Sequence, residues 1–180
     1  MPETLDPEQA RFLLQLGLRT LAQERRLTTR VIAAVPPDRS GYRPDPVSKT
    51  AFELSWHIVG SEIMFLDGIA TGAFVYDPPC PASLRAPADI IAWYEAAYRE
   101  RTYRLRDASI EQLLRMTDFR GLFARPAVLF LQTAIRHTAH HRGQLSVYLR
   151  PMGAKVPPIY GDSFDEPWAG TIGSATSLDR

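Results

Sequence analysis

A stripe of residues at steps of 4, 3, 4, 4 and 3, namely Phe130, Ala134, His137, His141, Leu145 and Tyr148, places two histidines on a helix face whose other positions are mostly hydrophobic. Positions i and i+4 of an α-helix lie one above the other, about 6 Å apart along the axis. An imidazole buried there needs a partner for its nitrogens, since an unsatisfied polar group costs on the order of 1–3 kcal/mol. A shared metal ion removes that cost, and so do hydrogen-bond partners within the core, so the pair by itself is a weak signal of a metal site. His57, on the stripe Leu54, His57, Ser61, Met64 and Phe65 of another helical segment, is the candidate third ligand, with Trp56 and Glu62 off to its sides.

The remaining segments also read as helices divided by proline. Asp6 as N-cap, Pro7 and Glu8 begin a first helix that carries Phe12, Leu13, Leu16, Leu21, Val31 and Ile32 until Pro36 and Pro37 stop it. An irregular connection over 38–46 precedes the second helix, which starts near Ser48 or Thr50 with Thr50 and Glu53 as a capping box and runs to about 70. A proline-rich loop over 73–87 leads into a third helix from about 88 to 107, with Ile91, Tyr94, Ala97, Tyr98 and Leu105 inward and Arg99, Glu100, Arg101 and Arg104 on a solvated face. Ser109 caps one short turn, and 116–125 has no clear period and reads as loop. Pro126 opens the last long helix, which Gly153 closes. A turn-rich strap follows at 156–161, and 170–180 is a small, polar stretch that reads as a flexible tail. The expectation is an all-α four-helix bundle.

At 180 residues the chain suits one well-filled core, so a single domain over 1–180 is expected, ordered from about 6 to 165. Lys and Arg total 21 against 20 Asp and Glu, with no run of like charge, which gives no platform for nucleic acid or an anionic membrane. The acidic start with two prolines is unlike a secretory signal, and no apolar run approaches the roughly 20 residues of a membrane span. The single cysteine, Cys80, lies in a proline-rich turn and has no internal disulfide partner, so a cytoplasmic setting is expected.

Several metal and nucleophile motifs are absent. Thr138 follows His137, where a zincin requires glutamate; paired Glu-x-x-His motifs, a glycine-rich phosphate loop and a Gly-x-Ser-x-Gly elbow are also missing. By contrast, Leu54-Ser55-Trp56-His57-Ile58, the string His137-Thr138-Ala139-His140-His141-Arg142-Gly143-Gln144-Leu145, and Gly153 with Pro157-Pro158-Ile159-Tyr160-Gly161 resemble the DinB/YfiT-like superfamily. Tyr42-Arg43-Pro44-Asp45-Pro46 resembles that family's approach to its second helix, and the likeness extends from about 11 to 165.

This resemblance implies a bundle with a long first connection and one divalent transition metal, zinc or nickel, held by His57, His137 and His141. His140 lies about 100° round the helix from His141 and falls outside that set. The family also implies a homodimer, a small-molecule substrate and metal-dependent transfer of low-molecular-weight thiols such as bacillithiol or mycothiol, or a related hydrolysis or isomerisation. The alternative is a non-catalytic, stress-associated metal-binding bundle. No catalytic base is assigned. Arg142 and Gln144 belong to the matched string, with surface packing or a functional role both open. Glu53 reads as half of the capping box or as a residue that orients a ligand.

Overall fold

The computed structural model describes residues 5–168. Its long helices begin where side chains satisfy otherwise unpaired amides. Asp6 accepts from the Gln9 amide at 2.8 Å and starts α1 (Pro7–Ala33). Thr50 accepts from the Glu53 amide at 3.1 Å while Glu53 accepts from the Thr50 amide at 2.8 Å, which starts α2 (Ala51–Thr71). Gly72 ends α2 at φ 84°, a left-handed conformation suited to glycine. Asp89 accepts from the amides of Arg85 and Ala86 ahead of α3 (Pro87–Arg106). Ser109 caps the short α4 (Ile110–Leu114). A 3-10 turn at Ala127–Leu129 leads into α5 (Phe130–Leu149), and a second at Arg150–Met152 ends at Gly153 with φ 79°.

The four long helices form the expected bundle, with a long first connection between α1 and α2. α2 is hydrophobic nearly all round and packs against both α3 and α5, while α1 packs against α5 and α3. The arginine-rich face of α3 is solvated as expected: Glu100 accepts from Arg101 and Arg104 at 2.6 Å each, and Arg101 reaches Asp67. The strap after Gly153 is held by Asp165, which accepts from Arg150 and the Val156 amide. The tail expected at 170–180 lies outside the described residues.

Three expectations about faces are corrected. Phe12 and Leu16 of α1 are 63% and 49% exposed, whereas the buried line is Ala10, Leu14, Gly17, Leu21, Glu24, Thr28 and Val31, at alternating steps of 4 and 3. This spacing is that of a helix seam, and at Gly17 the Leu131 side chain of α5 fills the space that a Cβ would take. On α5 the buried line runs through Ala134, Thr138, Arg142, Leu145 and Leu149, and His137 and His141 are half-buried one position to the side. Glu62, expected beside the stripe of α2, is fully buried: it accepts from Tyr94 Oη on α3 at 2.6 Å and from Thr138 Oγ1 on α5 at 2.8 Å.

The stretch expected as loop at 116–125 is an antiparallel hairpin of β1 (Met116–Phe119) and β2 (Phe123–Pro126). Gly121 turns it at φ 69°, and its amide donates to Asp118 Oδ2 at 2.8 Å. Phe119 stacks on Phe65 of α2 and lies near Phe74 and Phe130. The hairpin therefore walls off one side of the α2–α5 seam.

Candidate metal centre

His57 lies two turns into α2, and α5 presents His137 and His141 toward it. The ring centroids are 5.0 Å apart for His57 and His137, 4.5 Å for His57 and His141, and 4.4 Å for His137 and His141. One ligand nitrogen from each ring lies within 4.8 Å of the other two, close enough for the three to hold one ion. The Nε2 atoms of His57 and His141 are 3.2 Å apart.

The surroundings keep these rings neutral and oriented. Burial, then the neighbouring His141 charge, pushes His57 down to about 4. His137 is likewise pushed down to about 4, chiefly by burial and then by the other histidines, and burial lowers His141. Neutral imidazole is the metal-binding form. Nδ1 of His141 is 2.7 Å from Gln144 Oε1, an acceptor, so that nitrogen carries the proton and Nε2 keeps its lone pair toward the centre. The Gln144 amide then donates to His140 Nε2 at 3.2 Å. His137 packs against the Phe65 ring, and its buried Nδ1 has no hydrogen-bond partner among the described residues.

The structure leaves His140 exposed and outside the cluster. Glu53 serves the α2 capping box, as one of the two readings held. Arg142 is not a surface residue: it is 1% exposed and donates to Glu24 Oε2 at 2.7 Å, to the Glu24 carbonyl and to Thr28 Oγ1 on α1, and to Tyr160 Oη in the strap. Tyr160 in turn donates to Glu24 Oε2 at 2.7 Å. Gln144 was present in the matched string without a role. Its spacing of three residues from His141 is the helical separation at which the two side chains meet.

Two clefts reach His57 and His141. One, of 440 Å³, is bounded by His57, Trp56, Phe52, Glu53, Asp77 and Cys80 among others. The second, of 450 Å³, is bounded by His141, Gln144, Leu54 and Tyr148, and Ser48 and Lys49 line both. Trp56 is fixed by donation from its indole nitrogen to the Pro78 carbonyl at 2.8 Å. Cys80 is a partly buried loop thiol whose pKa burial raises.

A helical bundle carrying three clustered imidazoles beside open clefts defines the class of protein. The DinB family model matches residues 4–171, and the chain belongs to the DinB family. The uncharacterized protein YjoA of Bacillus subtilis (strain 168) is 30% identical over 139 residues, which cover 76% of this chain and 88% of YjoA. The crystal structure of the DinB-like YjoA superposes with a TM-score of 0.67 at 25% identity, covering 81% of this chain and 97% of that one. A DinB-like protein from Bacillus cereus ATCC 10987 gives a TM-score of 0.68 at 24% identity, with 80% and 95% covered. Among the described residues no helix is long and apolar enough to cross a membrane.

Proposed function

We propose that His57, His137 and His141 bind one divalent transition metal, zinc or nickel, and that the protein is a metal-dependent transferase of low-molecular-weight thiols or a related hydrolase. The convergence of three ligand nitrogens within 4.8 Å, on two helices separated in sequence, carries this reading. The donor set fits such an ion: neutral imidazoles suit zinc, nickel, copper and iron, and three protein ligands leave a position open. The unpartnered Nδ1 of His137 marks a ring that the protein alone does not satisfy. A bound divalent ion would supply Lewis acidity that lowers the pKa of a thiol or water.

The chain's own residues prepare the rest. Gln144 fixes the tautomer of His141, and the Phe65 ring limits how His137 can turn. Trp56 and Phe52 give the first cleft apolar walls against which a substrate sheds water. The same reading includes a homodimer and a small-molecule substrate, which rest on the family resemblance, and a cytoplasmic setting, which rests on the lone cysteine, Cys80.

Untagged protein is expected to carry about one transition metal per chain by elemental analysis, and His57→Ala and His141→Ala are each expected to abolish it. A metal-free wild type, or full metal content in both variants, defeats the proposal. Turnover of electrophiles with thiol cofactors separates an enzyme from the alternative, a non-catalytic metal-binding bundle; turnover that survives metal removal rules out the metal-dependent mechanism.

A further inference from the structure

The second cleft carries a positive charge that no carboxylate of its own lining balances. Four charged side chains line the first cleft: Arg43, Lys49, Glu53 and Asp77. Arg43 faces Glu53 at 3.9 Å, and Asp77 accepts from Arg120 at 3.1 Å. Lys49 makes no ion pair among the described residues, and the Glu53 carboxylate on which its charge acts is shared with Arg43. Asp45, which lines neither cleft, accepts from Ser48 Oγ and the amides of Val47 and Ser48. In the second cleft no carboxylate is present, and Lys49 stands with His141, Gln144 and apolar groups. Lys49 thus places a positive charge where the two clefts meet, lining one with His57 and the other with His141.

We propose that Lys49 is an anion-binding residue of this site, so that the small molecule accepted carries a carboxylate several bonds from the group that meets the histidines. The inference rests on the metal and thiol reading and narrows it to acidic substrates. Lys49 immediately precedes the N-cap of α2, and the helix from Ala51 to His57 rises on the order of 9 Å, a span matched by a compact molecule with an acid at one end. An exposed lysine without an ion pair loses little by meeting solvent in the free protein. Pairing with a carboxylate in a cleft with apolar walls gives it an interaction stronger than an open surface would allow.

The test uses the full chain loaded with cobalt(II), whose visible spectrum reports a coordinated thiol. 6-Mercaptohexanoic acid and 6-mercaptohexanamide differ by one carboxylate charge carried several bonds from the sulfur, and each is titrated into wild type, Lys49→Met and Lys49→Arg. The acid-to-amide affinity ratio is expected to fall about tenfold in Lys49→Met and to hold in Lys49→Arg. A ratio unchanged by Lys49→Met overturns the proposal while leaving the metal and thiol reading in place. Failure of both thiols to alter the cobalt spectrum overturns that reading and this one together.

Discussion

Burying a carboxyl group favours its neutral form, and Glu62 carries that effect into the centre of the bundle. Desolvation raises its pKa from 4.5 to about 7, against the opposing effect of hydrogen bonds from Tyr94 and Thr138 and of the Arg142 charge. The unfolded chain releases this proton near the ordinary value, so the folded state binds the extra proton between the two. Its contribution is therefore fully present below 4.5 and is lost as pH rises through about 7, a change of about 3 kcal/mol. His57 and His137 act in the opposite sense, because their lowered values make the unfolded state bind more protons at acid pH. A comparison with Glu62→Gln isolates the carboxyl, since glutamine resembles its neutral form and Thr138 Oγ1 can accept from the new amide. Urea unfolding of both metal-free proteins from pH 4.5 to 8 should show the variant gaining about 3 kcal/mol on wild type as pH rises. A difference that stays flat across that range would show that Glu62 folds already ionised.

At the scale of elements, α1 shows how a packing face can escape a reading based on hydrophobic spacing. Its seam includes Ala10 and Gly17, which permit close approach, and Glu24 and Thr28, which serve Arg142. A Cβ at Gly17 would lie 2.8 Å from Leu131 Cδ1 and 3.0 Å from its Cβ, so α1 and α5 meet there without room for a side chain. Gly17→Val is expected to cost about 1–3 kcal/mol by overpacking, and Phe12→Ala, at a 63% exposed position, about 0.5 kcal/mol or less in urea unfolding. The opposite order would show that α1 packs through its more hydrophobic face. The helix starts at Asp6 and Thr50 were legible because each cap is local chemistry. So was the approach of His57 to the α5 histidines, through the i, i+4 spacing of His137 and His141 and the family resemblance. The hairpin was not: strands of four residues are too short to display a period, and their pairing depends on partners such as Phe65 and Phe74 elsewhere in the chain. Arg142 and Glu62 were misplaced for the complementary reason: a charged residue is expected outside unless its buried partners are known.

Over the whole molecule, Arg142 connects parts of the chain that sequence order keeps apart. It lies 118 residues from Glu24 on α1 and 18 from Tyr160 in the strap, and its neighbour His141 belongs to the candidate centre. Glu24 and Arg142 have side chains 10% and 1% exposed, so their desolvation is costly and the intact pair is not by itself a large source of stability. Breaking it is a different matter. Arg142→Met leaves the Glu24 carboxylate with the Tyr160 hydroxyl as its remaining side-chain partner, and a loss of about 3 kcal/mol is expected in chemical unfolding. Glu24→Leu in the same chain removes the stranded charge, and the double variant should recover most of that stability. If the two losses instead add, the carboxylate was not left uncompensated, and the buried pair does not join α1 to α5 in the manner the hydrogen bonds describe. Metal affinity measured on the same proteins provides a second reading: the pair and Tyr160 set how α5 sits against α1, and rotation of α5 would carry His137 and His141 away from His57. The double variant should therefore regain stability more fully than metal affinity, because leucine and methionine restore packing without the directed bonds that fix the helix.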